Sequence, residues 1–163
     1  MLSYDALPDH ARLWIYPASR ALSEGEVAAL RPRLAAFAEA WTSHRRDLHA
    51  HADLWHGRFL VLGVDEAAAA ASGCSIDASV RFVRELGDEL GIDFFDRLIF
   101  FVRRGGGGAY EALDREAFAR AYAEGRIDDA TTVVDPLVAT KAAARDGFEK
   151  PLAESWHARF VAA

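Results

Sequence analysis

Apolar and polar positions alternate along this chain with two different periods, and the switches between them predict its elements. Arg12-Leu13-Trp14-Ile15-Tyr16-Pro17 is aromatic and β-branched and is stopped by proline, which suits a short strand. Ser23 and Glu26 then form an S-x-x-E capping box. Val27, Leu30, Leu34, Phe37, Ala38 and Trp41 follow at spacings of three and four, the signature of an amphipathic helix. Pro32 should kink that helix or start its longer half. The polar, histidine-rich stretch from Thr42 to Asp53 reads as a loop. Phe59 to Val64, apolar on both faces and ending in Asp65, reads as a central buried strand.

A second helix should begin near Ser75, with Ile76, Val80, Val83, Leu86 (or Gly87) and Leu90 on its apolar face and Gly91 as its stop. Leu98 to Val102 predicts another buried strand. The glycines from 105 to 108 lead into Ala109 to Leu113 as a hairpin. Asp114 can cap a third helix through Phe118 and Tyr122, closed by Gly125. Thr131 to Val134 suits a short strand and Val138 to Arg145 a helix, with Trp156 and Phe160 docking the C-terminus on the core. Residues 1 to 11 have no period and read as an N-terminal arm. The expected order is β-α-β-α-β-β-α-β-(α): an α/β or α+β fold with one mixed sheet of four to five strands in a single domain over 1–163.

Composition narrows the function classes. A net charge of -6 argues against a general nucleic-acid or anionic-membrane binder, which needs clustered Lys and Arg. The single cysteine, Cys74, fits a reducing compartment. With no signal-like start and no apolar run near the roughly 20 residues of a membrane span, a cytoplasmic protein is expected.

The stretch Ser72-Gly73-Cys74-Ser75-Ile76-Asp77 stands at the predicted strand-to-helix junction, where α/β proteins commonly build sites. Free amides of Gly73, Cys74 and Ser75 at the positive end of a helix dipole would favour an anion, and the same position would activate a thiol, making Cys74 a candidate nucleophile. The competing reading is an N-cap by Ser75 or Asp77, with Cys74 as a small packed side chain. Asp65, at the end of the central strand, and Arg97, before the next strand with Asp96, are candidate companions. His49 and His51 would share one face of a strand and are candidate metal ligands, although their spacing with His44 and His56 matches no metal motif. No cofactor is indicated. The glycine run has no following lysine and joins two strands, so it is not a phosphate loop.

Trp14-Ile15-Tyr16, Trp41-Thr42-Ser43-His44, the Ser72 to Asp77 stretch, Phe95-Asp96-Arg97 and Ser155-Trp156-His157 together resemble a small bacterial family whose members often carry the label "ABC transporter ATPase". The resemblance spans residues 12 to 160. It implies no established activity, and the chain has no recognisable phosphate loop, signature motif or Walker B acid, so an ABC-type ATPase is not expected. It does imply that Trp41, His44, Trp156 and His157 belong with the Ser72 to Asp77 motif. The resulting expectation is a domain that binds a small anionic molecule at that turn, with Asp65, Arg97, His44 and His157 nearby. Two alternatives are a non-catalytic interaction module or homodimer with the tryptophans as contact surface, and a Cys74-dependent hydrolase or transferase with His44 or His157 as base.

Overall fold

The computed structural model describes residues 2–43, 49–66, 73–105 and 107–162. The chain builds strands and helices in the order β1 (Arg12–Pro17), α1 (Glu24–Ser43), β2 (His49–Trp55), β3 (Phe59–Asp65), α2 (Gly73–Leu90), β4 (Ile99–Arg103), β5 (Glu111–Asp114), α3 (Arg115–Ala123), β6 (Thr132–Val134), α4 (Lys141–Gly147) and β7 (Glu149–Pro151). Two short 3-10 turns, Leu152–Glu154 and Trp156–Phe160, complete it.

The single mixed sheet is corrected to an α+β arrangement of two antiparallel sheets, one of three strands in the order β1-β3-β2 and one of four in the order β5-β4-β6-β7. Side-chain alternation explains why two sheets can share one core. On β3, Leu60, Leu62 and Val64 face α1 and α2, while Phe59 and Val61 face the second sheet. On β4, Phe101 points back to Phe59, while Phe100 and Val102 pack with Phe118 of α3. The layers therefore run helices, sheet, sheet, helix, and both central strands are buried on two faces although their partners are antiparallel.

Thr42 to Asp53 is not wholly a loop, since β2 starts at His49. Its core face is Ala50, Ala52 and Leu54, interleaved with His51 and Asp53. Alanine has little β-propensity, so its period of two is masked by the polar residues between. The strand β7 and the two 3-10 turns also lie beyond the sequence pattern, because a three-residue strand carries too few positions to show a period.

Local chemistry does fix several boundaries. Ser23 and Glu26 make the reciprocal capping box: the Glu26 amide donates to Ser23 Oγ at 3.2 Å and the Ser23 amide to Glu26 Oε2 at 2.8 Å. The helix α1 continues through Pro32. Asp114 caps α3 by accepting the Ala117 amide at 2.7 Å. The core-facing stripe of α2 is Ser79, Val83, Leu86 and Gly87, rotated from the purely apolar stripe because two small residues allow close approach. Gly87 is one of them for a steric reason: a Cβ there would stand 2.6 Å from the Ile92 carbonyl oxygen. No described helix is long and apolar enough to cross a membrane.

Candidate functional site

Two concavities among the described residues meet at Arg97. One, of about 360 Å³, lies between the start of β4 and the terminal 3-10 turn, with Pro17, Phe100, Leu137, Trp156 and Phe160 as apolar wall. A second, of about 220 Å³, lies between β1 (Trp14, Ile15 and Tyr16 among its walls) and the segment from Pro136 to Ala139. Both include Arg97, Pro136 and Leu137, so they form one cleft along the outer edge of β1.

Arg97 is exposed, and among the described residues no carboxylate pairs with it and nothing hydrogen-bonds it. Its charge is felt at Tyr16: burial raises the Tyr16 pKa, while the neighbouring Ser79 of α2 and Arg97 pull it down. Arg159 stands on the same rim, held over the rings of Trp156 at 5.3 Å and Phe160 at 4.8 Å. Two guanidinium groups over apolar wall suit an anion with a hydrophobic body. Leu98 and Leu137, 62% and 59% exposed, are the large exposed apolar side chains among the described residues, and both border this cleft.

A buried polar frame holds the cleft open. The Asp135 carboxylate accepts the Trp156 indole N–H at 3.0 Å and the Leu137 amide at 3.0 Å, and pairs with Lys150 at 3.2 Å. His157, 1% exposed, stacks on Trp156 with ring centroids 3.7 Å apart and packs edge-on to Phe100. Its pKa is pushed down to about 4, chiefly by burial, with Lys150 and Arg159 adding to the effect and Asp135 opposing it. The Ser155 hydroxyl accepts the His157 amide at 3.4 Å and lies 2.6 Å from Nδ1. With that hydroxyl donating to Nδ1, the neutral ring carries its proton on Nε2.

The Ser72 to Asp77 motif is placed elsewhere. The helix α2 starts at Gly73, two residues earlier than expected; Gly73, Cys74 and Asp77 are exposed, and none of residues 73–77 lines this cleft. Ser72 and His44 fall outside the described residues. The motif is tied to the fold through Trp41, buried in the core, whose indole donates to the Ser75 carbonyl at 3.1 Å and whose ring meets Trp14 at 5.9 Å. Asp65 ends β3, where His10 Nε2 lies 3.2 Å from its Oδ1, and it does not border the cleft either. Cys74 and His157 are not brought together, since the histidine is buried against Ser155, Trp156 and Phe100.

His49 and His51 do lie on one strand, but His49 is exposed while His51 is buried, with Nδ1 2.9 Å from the Leu2 carbonyl. Among the described residues no cluster of three or more His, Cys, Asp or Glu side chains could hold a metal. Trp41 and Trp156 donate their indole N–H groups within the fold, and Trp156 stays half-buried at the cleft wall.

Of the sequence-stated candidates, the cleft therefore holds Asp96, Arg97, Trp156 and His157. It adds Ile15, Asp135, Leu137 and Arg159, for which the only sequence signal was Pro136, a residue that ends a strand ladder. No family model matches the chain, and neither a curated protein nor a solved structure shows significant similarity to it.

Proposed function

We propose that this protein is a binding domain for a small organic anion, seated in the cleft at Arg97 and not at the first turn of α2. The observation that carries this reading is an arginine with no carboxylate partner at the junction of two cavities, in a chain whose acidic residues outnumber its basic ones 25 to 19. Arg12, Arg20, Arg31, Arg33, Arg103, Arg104, Arg126 and Arg145 all sit within ion-pair distance of a carboxylate. Among the described residues Arg58, Arg81, Arg84, Arg97, Arg115, Arg120 and Arg159 have no such ion pair, and of these Arg97 and Arg159 border the same apolar cleft, whose wall also holds Asp96.

The division of labour follows from position. Arg97 receives the charge, and the wall of Phe100, Trp156 and Phe160 takes the apolar body. Calorimetric titration with 3-phenylpropionate tests the reading. Binding to the native protein that falls about tenfold or more in Arg97→Gln is expected, from the loss of a charge-assisted hydrogen bond. Equal affinity of the two proteins for the carboxylate would refute it.

A further inference from the structure

The outer edge of β1 is incompletely covered. Two contacts fix which backbone groups face outward: Ala18 donates to the Arg58 carbonyl across the β1–β3 ladder at 2.8 Å, while Leu13 donates away from it to the Ala139 carbonyl at 2.9 Å. The β1–β3 register pairs Ile15 with Val61, so Ile15, like Leu13, directs its N–H and C=O away from β3. The segment after β6 covers this edge only at its start, through the Arg12–Thr140 bridge, the Leu13 to Ala139 bond and the bond from the Lys141 amide to the Ala11 carbonyl.

Continued by two residues, that pairing would set Leu137 opposite Ile15. It stops short because the Leu137 amide donates to Asp135 Oδ1 instead, and because the preceding residue is Pro136. Asp135 is itself anchored by Trp156 and Lys150. The result is a wedge that opens at Ile15. Among the described residues nothing pairs with the Ile15 N–H or C=O, although the residue is only 3% exposed and lines the cleft. An unpaired strand edge at the wall of a cleft is a template for an added strand.

We propose that the cleft takes a short extended peptide with a free C-terminal carboxylate, added as a strand residue against Ile15. This rests on the reading of Arg97 as an anion seat and names the class of anion. One peptide residue exchanges both backbone hydrogen bonds with Ile15, Arg97 takes the terminal carboxylate, and the larger cavity takes an apolar side chain between Phe100, Trp156 and Phe160. Pairing is confined to one residue, because the Leu13 N–H is already used and Pro17 has none. The recognised unit is therefore about two or three residues long.

The test compares N-acetyl-Ala-Ala-Phe as the free acid, the same peptide as its C-terminal amide, and 3-phenylpropionate, each titrated into the 15N-labelled protein. The free acid should bind about tenfold or more tightly than the other two, and should shift and protect the Ile15 amide. The acid-over-amide preference should vanish in Arg97→Gln, whose altered side chain is exposed and without partners. If 3-phenylpropionate binds as tightly as the peptide acid and the Ile15 amide stays unmoved, strand addition is overturned while the anion seat stands. If the peptide amide equals the acid, the carboxylate role of Arg97 is overturned. If neither acid binds, both readings fall together.

Discussion

Acid should destabilise this protein through His157 in a way that a single substitution isolates. The usual histidine pKa of 6.5 falls to about 4 in the folded protein because the ring is taken from water between Trp156 and Phe100. A proton therefore binds the unfolded chain more readily than the folded one at every pH between those two values. Stability is complete above about pH 6.5, drains away as pH falls, and stops changing on this account below about pH 4. The gap corresponds to about 3 kcal/mol, of which about 2.5 kcal/mol is developed between pH 7 and pH 4.5. Urea unfolding of the native protein and of His157→Gln, followed by far-UV circular dichroism at those two pH values, reads this directly. The variant starts less stable, but it should lose about 2 to 3 kcal/mol less on acidification, since the carboxylates titrate in both proteins. Equal losses would refute the argument that the buried imidazole is neutral because it is dry.

Three further outcomes probe the frame around the cleft. Gly87→Ala should cost about 1 to 3 kcal/mol in urea unfolding, because its new Cβ meets the Ile92 carbonyl oxygen and neither backbone can give way; an unchanged midpoint would place the α2 to β4 connection farther off. Asp114→Ala, which removes the α3 cap, should cost about 1 kcal/mol, with Asp114→Asn recovering most of it, and equal losses in the two would point away from capping. Trp41→Phe keeps an aromatic side chain but removes the indole donor to the Ser75 carbonyl, so hydrogen exchange should quicken in the first turns of α2 and stay constant in β4; uniform quickening would mean a global loss of stability.

How much of this was legible in the sequence depends on how local each signal is. The capping box of Ser23 and Glu26, the Asp114 cap, the apolar run of β3 and the glycine stop at Gly91, with its φ of 62°, are decided by residues within a turn of one another. Sequence alone can state them. Arg97 and His157 were visible as chemistry-bearing residues flanking predicted elements, but their meeting was not, since 60 positions separate them and only the packing of the terminal turn on Phe100 joins them. The Ser72 to Asp77 motif marks the helix start correctly and yet does not line the cleft, because a helix N-terminus gains a site only when other elements fold over it.

The sequence by itself thus determined the longer helices, the apolar strands, several caps and the two-faced burial of β3, but not β2 or β7. The tertiary structure decided that the strands form two antiparallel sheets, because pairing depends on contacts between distant segments that no local period encodes. It also decided where the open edge lies. Ile15 looks like any core residue of a strand, and its backbone is left without a partner only because Asp135, 120 positions later, diverts the Leu137 amide that would have met it.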